Sequence, residues 1–160
     1  MTADTQPGFG VGRLTLDAPG IVAVVREVID VAGRARVRAV GSSMWPTIRD
    51  GSLVTLEPCP AHLRAGQIVL LEWGGRPVLH RVIKVDATSV YTAGDSCLDP
   101  DPPTERSRVC AIATSLEDGR GIITLTGSAQ LGVRSLVLYL AARTRLWLAR
   151  RWRTLRRPAR

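Results

Sequence analysis

The sequence predicts a mainly β domain, a bent sheet or partial barrel, with one helix before it and a basic amphipathic helix after it. Three observations carry this. Seven short runs rich in Val, Ile, Leu and Thr lie between Ala35 and about Thr126, separated by Gly-containing turns. The flanks switch to helical spacing. A length of 160 residues leaves room for one domain with a real core plus terminal appendages, and not for a second enzyme domain. The expected organisation is an N-terminal segment with one helix over residues 1–33, a β domain over 34–126 and an arginine-rich helical tail over 127–160.

Residues 17–33 read as the first helix. Asp17 can cap it, Ile21, Val24, Val25, Val28 and Val31 follow helical spacing, and Gly33 can end it. The seven β-type runs are Arg36–Val40, Ser52–Glu57, Gln67–Trp73, Pro77–Val85, Thr88–Ala93, Arg108–Leu116 and Gly121–Thr126. Several follow a turn that holds glycine, such as Asp50-Gly51 or Gly74-Gly75. The stretch from Gly94 to Arg108 carries too much Pro and Asp for a strand and is expected as a loop. In the tail Leu148, Trp152 and Leu155 share a helix face, with arginines around them.

Composition narrows the function classes. A hydrophobic share of 45% and a charged share of 22% are those of a globular protein. The net charge of +8 belongs to the tail, where residues 143–160 hold eight arginines and no acid; the other 14 basic residues are balanced by 14 acids. Cys59, Cys97 and Cys110 form no CxxC or Cys/His metal spacing, so no metal, cofactor or disulfide framework is expected. The N-terminus shows no secretion-signal pattern, and the longest apolar run near the C-terminus, Leu136–Ala142, is far short of the roughly 20 residues of a spanning helix. The expected location is cytoplasmic, with peripheral contact at the inner face of the membrane through Arg143–Arg160 as one role for the tail. The competing role packs Leu131–Leu140 on the β core and leaves the arginines solvated. Nucleic acid is the disfavoured partner, since residues 1–33 hold too few helices for a helix-turn-helix, although the arginines can bind phosphates nonspecifically.

The chemistry gathers in three segments. Gly41-Ser42-Ser43-Met44-Trp45-Pro46-Thr47-Ile48 lies between a strand and the Asp50-Gly51 turn. A serine hydroxyl needs a base to take its proton and amide donors to receive the oxyanion formed on attack. Small residues at 41 and 42 let a substrate backbone approach Ser43. This segment resembles the Ser-Met-x-Pro-Thr box of signal peptidases and of the self-cleaving repressor peptidases related to them, the S24/S26 superfamily. The resemblance continues through Arg49-Asp50-Gly51-Ser52-Leu53-Val54 and Ala65-Gly66-Gln67-Ile68-Val69, in the family's order.

In that family the serine is the nucleophile, which places Ser43 in the role. Val78-Leu79-His80-Arg81-Val82-Ile83 is similar to the His-Arg-Val/Ile context of the endoplasmic-reticulum, archaeal and spore-former type, which makes His80 the base. An unperturbed histidine titrates near pH 6.5, so it needs less help than a lysine. Lys84, the only lysine, lies roughly 13 Å further along the same strand and cannot serve the same serine. His62 stands in a loop with no motif around it and reads as a surface residue. A base of this kind works best with a carboxylate that fixes its tautomer. The resemblance assigns Gly94-Asp95 and, six residues on, Asp101-Pro102; Asp101 is the expected orienting acid and Asp95 a supporting one, with Asp99 the alternative for either.

Two features depart from the family. Gly41 stands where many members carry an oxyanion-binding serine, so the oxyanion would rest on backbone N–H groups near Ser43, aided by Ser42, and Ser42 and Met44 are the expected substrate and oxyanion residues. The membrane-spanning anchor of signal peptidases has no counterpart in the chain. The implied activity is hydrolysis of a peptide or protein substrate by a Ser-His(-Asp) endopeptidase; the alternative is a non-catalytic or self-cleaving regulatory or binding module on the same fold.

Overall fold

The structure is a computed structural model that describes residues 14–15, 20–97 and 99–125. Asp17, residues 1–13 and the expected tail helix with Leu148, Trp152 and Leu155 lie outside the described residues. In chain order the elements are β1 (Leu14–Thr15), α1 (Ile21–Ala32), β2 (Ala35–Arg38), β3 (Leu53–Glu57), β4 (Ile68–Trp73), β5 (Arg76–Val85), β6 (Ser89–Ala93), β7 (Thr104–Glu105), β8 (Val109–Asp118) and β9 (Gly121–Thr124). A single 3₁₀ turn at Arg106–Arg108 leads into β8.

The mainly β expectation holds. The sheet runs β1-β2-β3-β8-β4-β5-β6-β7, antiparallel except for the parallel β1/β2 pair, and it is not closed. β8 organises it. Its residues 112–117 pair with β3, and on its other edge residues 109–112 pair with β4 and residues 115–118 with β9. The seven expected runs are all strands; β1 and β7 are additional. Both are two residues long, too short to show alternation, and β7 pairs with Ser89 and Val90 inside the stretch expected to be loop throughout.

The helix ends as expected. Gly33 takes φ 72°, a conformation side chains other than glycine's rarely accept, and its N–H donates to the Ile29 carbonyl at 2.8 Å. Its start and its buried face differ from expectation. Gly20 at φ 77° is the N-cap, so the first helical residue is Ile21. Ile21, Val22, Val25 and Ile29 are buried, whereas Val24 and Val31 are exposed. With valines around most of the helix, spacing alone does not mark the inner stripe; packing against β2 and β8 selects it.

That stripe seals one face of the sheet, packing with Val37, Val54, Leu56, Ile68, Leu70, Ala113 and Leu116. Opposite it a smaller cluster joins Val69, Leu71, Val82, Val90 and Val109 under Leu63 from the loop before β4. Because side chains alternate across a strand, the four buried residues Ile68–Leu71 feed both clusters in turn. β4 and its neighbour β5, paired along Ile68–Trp73, thus lie between the two clusters. Among the described residues no helix is long and apolar enough to cross a membrane.

Candidate active site

Ser43 stands on the turn between β2 and β3. Gly41 takes φ 98° and donates its N–H to Asp50 Oδ1 at 2.8 Å, while Gly51, at φ 78°, donates to the Ala39 carbonyl at 2.9 Å. These bonds close the base of the turn. Within it Trp45 N–H donates to the Ser42 carbonyl and Ile48 N–H to the Met44 carbonyl. Met44 and Ile48 anchor the turn in the helix-side core, leaving Ser42 and Trp45 exposed and Ser43 half-buried.

His80 sits near the middle of β5, paired with Val69 of β4, and is buried. Its Nδ1 lies 2.6 Å from Asp101 Oδ2. A carboxylate oxygen at this distance suits a proton on Nδ1, and in a neutral imidazole that tautomer leaves Nε2 as the acceptor. Nε2 points toward Gly94. A β-carbon built on Gly94 would stand 3.1 Å from Nε2, 2.7 Å from the Ser43 carbonyl oxygen and 2.6 Å from Cys97 Sγ. Only a residue without a side chain leaves His80 and the serine turn this close together. No hydrogen bond joins Ser43 to His80 among the described residues, but both line one groove of about 270 Å³. Its walls are mostly apolar: Val40, Met44, Ile48, Val78 and Leu79, with Trp73 at the exposed rim.

The three acids of the loop separate cleanly. Asp101 meets His80. Asp95 makes no hydrogen bond to the ring among the described residues; its two oxygens take Nε and Nη2 of Arg81, each at 2.7 Å, and Thr47 Oγ1 donates to Oδ2. Arg81 also donates through Nη1 to the Gly66 carbonyl at 2.7 Å. Both ions are almost wholly buried, and the desolvation of each is offset by the two-pronged Arg81–Asp95 pairing together with the bonds to Thr47 and the Gly66 carbonyl. This clasp ties the serine turn, β5 and the loop after β6 into one body. Asp99 is exposed on the same loop.

Ser96 adds a second tie. Its Oγ lies 2.8 Å from the Ser42 carbonyl and 3.0 Å from the Ser43 carbonyl, and its N–H donates to the Ser43 carbonyl at 2.9 Å. Burial pushes the Cys97 thiol above its usual range, and the carboxylates of Asp101 and Asp95 push it further the same way, so at neutral pH it is a protonated thiol. Lys84 is exposed at the far end of β5, with Nζ 3.9 Å from Asp86 and over the Tyr91 ring. His62 is exposed in the loop before β4. Among the described residues no three His, Cys, Asp or Glu side chains gather as a metal site.

Sequence reasoning named Ser43, His80 and Asp101 as candidates but passed over the groups that surround them: Thr47 and Arg81 of the clasp, Ser96, and Thr92 beside Asp101. Arg81 and Thr47 stood in the quoted motifs, so a signal was there. Gly94 was read as a motif glycine; its φ is ordinary, and it is required by close approach.

No curated protein matches the chain. The family model for Peptidase S24-like proteins matches residues 16–96, a span that holds Ser43, His80 and Asp95 and ends before Asp101. That span is just over half of the 160 residues, and the chain belongs to the Peptidase S24-like family.

Proposed function

We propose that the protein is a serine endopeptidase of the histidine type, in which Ser43 is the nucleophile, His80 the general base and Asp101 its orienting acid. The observation that carries this reading is the 2.6 Å contact of His80 Nδ1 with Asp101, which leaves Nε2 facing the side of the site where the Ser43 turn lies. In this reading Nε2 takes the Ser43 proton as Oγ adds to the scissile carbonyl, and the bond from Ser43 to His80 forms with substrate in place, as such bonds tighten in the substrate complex. The N–H groups of Ser43 and Met44 donate to no protein acceptor among the described hydrogen bonds and are suited to hold the oxyanion. The imidazolium then gives its proton to the leaving amine, and water cleaves the acyl-enzyme by the same route.

A substrate strand has a place to lie. β5 pairs with β4 along Arg76–Arg81 but with β6 only from Arg81 onward, so the other edge of Arg76–His80 carries no strand among the described residues. That edge borders the groove, and an extended peptide added there would present its carbonyl between Ser43 and His80. The small, aliphatic groove suits small apolar side chains beside the scissile bond. A degenerate peptide library read by mass spectrometry tests the reading: the wild-type chain cleaves it, and Ser43→Ala and His80→Ala, still folded, do not. Cleavage confined to the chain itself would make it a self-cleaving regulatory module, and no cleavage of any kind would leave a binding module.

A further inference from the structure

Asp101 belongs to a segment that cannot hold itself in place. In Pro100-Asp101-Pro102-Pro103 only Asp101 has a backbone N–H, so the segment can enter no ladder of hydrogen bonds. That one N–H donates to the carbonyl of Thr92 at 2.8 Å. The Thr92 hydroxyl in turn donates to Asp101 Oδ2 at 2.6 Å, the oxygen that also receives His80 Nδ1 at 2.6 Å. Thr92 is fully buried on β6, opposite Val82 of β5 and so one strand from His80. One residue therefore grips Asp101 by both main chain and side chain.

We propose that Thr92 is a positioning residue: its hydroxyl sets the Asp101 carboxylate so that His80 keeps its proton on Nδ1 and its lone pair on Nε2. The geometry gives the reason. A carboxylate on a single Cβ can turn about two torsions, and the main-chain bond to Thr92 fixes neither. The hydroxyl fixes both, since Oδ2 must then lie between Thr92 Oγ1 and His80 Nδ1. Without it the carboxylate can turn toward solvent, the imidazole can adopt the other tautomer, and the proton would then sit on Nε2, where Ser43 needs an acceptor. The role in catalysis rests on the peptidase reading above; the effect on the imidazole does not.

The test uses the full-length chain with Thr92→Val, which keeps the shape and removes the donor, and Thr92→Ser, which keeps the donor. Imidazole ¹⁵N NMR at about pH 8, where a free histidine is neutral, reports the tautomer. The chain has only two histidines, so the exposed His62 serves as the internal reference. The wild type and Thr92→Ser are expected to show His80 fixed with Nδ1 protonated, and Thr92→Val to show shifts moved toward the averaged values of His62. On the peptide library Thr92→Val should lose about tenfold or more in kcat with KM within about twofold, as expected when a base is misplaced and the binding groove is intact. A folded Thr92→Val with the wild-type tautomer overturns the proposal, and so does a folded Thr92→Ser that has lost it. So does a wild-type His80 protonated on Nε2, which applies even if Thr92→Val does not fold. A wild-type chain that cleaves nothing, with the tautomer effect present, would sink the peptidase reading and leave the positioning role standing.

Discussion

Adding one methyl group at Gly94 should separate the two halves of the site. The backbone at Gly94 has an ordinary φ, so alanine there carries no conformational strain and its effect is steric. Of the three atoms the new β-carbon would meet, Cys97 Sγ at 2.6 Å is a side-chain end that can rotate away. The Ser43 carbonyl oxygen at 2.7 Å cannot. To reach ordinary contact at 3.4 Å it must retreat by about 0.7 Å, or His80, at 3.1 Å and held by Asp101, must yield instead. The same oxygen accepts two hydrogen bonds from Ser96, so its displacement strains the turn that carries Ser43. Overpacking of this size costs about 1–3 kcal/mol of stability. Misplacing a reacting group by close to an ångström costs on the order of 100-fold in rate. Gly94→Ala should therefore unfold at lower urea, remain folded without denaturant, and cleave the peptide library about 100-fold more slowly. Gly119→Ala, where an added β-carbon meets nothing within 4 Å, is the control and should match the wild type. Adding Cys97→Ala to Gly94→Ala relieves only the sulfur contact and should not restore the rate. Gly94→Ala with activity within about threefold of wild type, or full rescue by Cys97→Ala, would refute the steric argument.

Asp95→Asn leaves the Arg81 guanidinium buried without its carboxylate and should cost about 3–5 kcal/mol in chemical denaturation, far more than an exposed pair would. Lys84→Ala removes an exposed contact to Asp86 and should change stability by less than about 0.5 kcal/mol and leave cleavage intact. Burial raises the thiols of Cys59, Cys97 and Cys110, so the folded chain holds these protons to higher pH than the unfolded chain. The stability they contribute is fully present below about pH 8.5 and falls as pH rises beyond it; replacing all three with serine should flatten that alkaline decline in urea titrations.

The strands were legible because short runs rich in Val, Ile, Leu and Thr stand between glycine turns, and their apolar residues end up under the helix or beneath Leu63. The helix face was not legible, since Val22 and Val24 are equivalent in hydrophobicity and only the sheet beneath distinguishes them. β1 and β7 escaped notice because two paired residues leave no period to read. In the site, the resemblance to the histidine-type peptidases pointed to Asp95 and Asp101, and their different partners follow from neighbours distant in sequence: Arg81 and Thr47 for one, His80 and Thr92 for the other. Thr92 sits in an unremarkable β run, and its role comes from the prolines flanking Asp101, which leave that loop a single backbone donor. The reach of Ser96 to the Ser42 and Ser43 carbonyls is likewise a tertiary contact with no local signal.

The central claim is that His80 activates Ser43, and the covalent intermediate tests it most directly. The full-length chain is mixed with the peptide library, quenched in acid within a turnover, and mapped by mass spectrometry. The account predicts an acyl adduct on Ser43 in the wild type, none in Ser43→Ala, and strongly reduced formation in His80→Ala. An adduct on Cys97, whose Sγ lies on the same side of Gly94 as His80 Nε2, or cleavage that persists in Ser43→Ala, would contradict it.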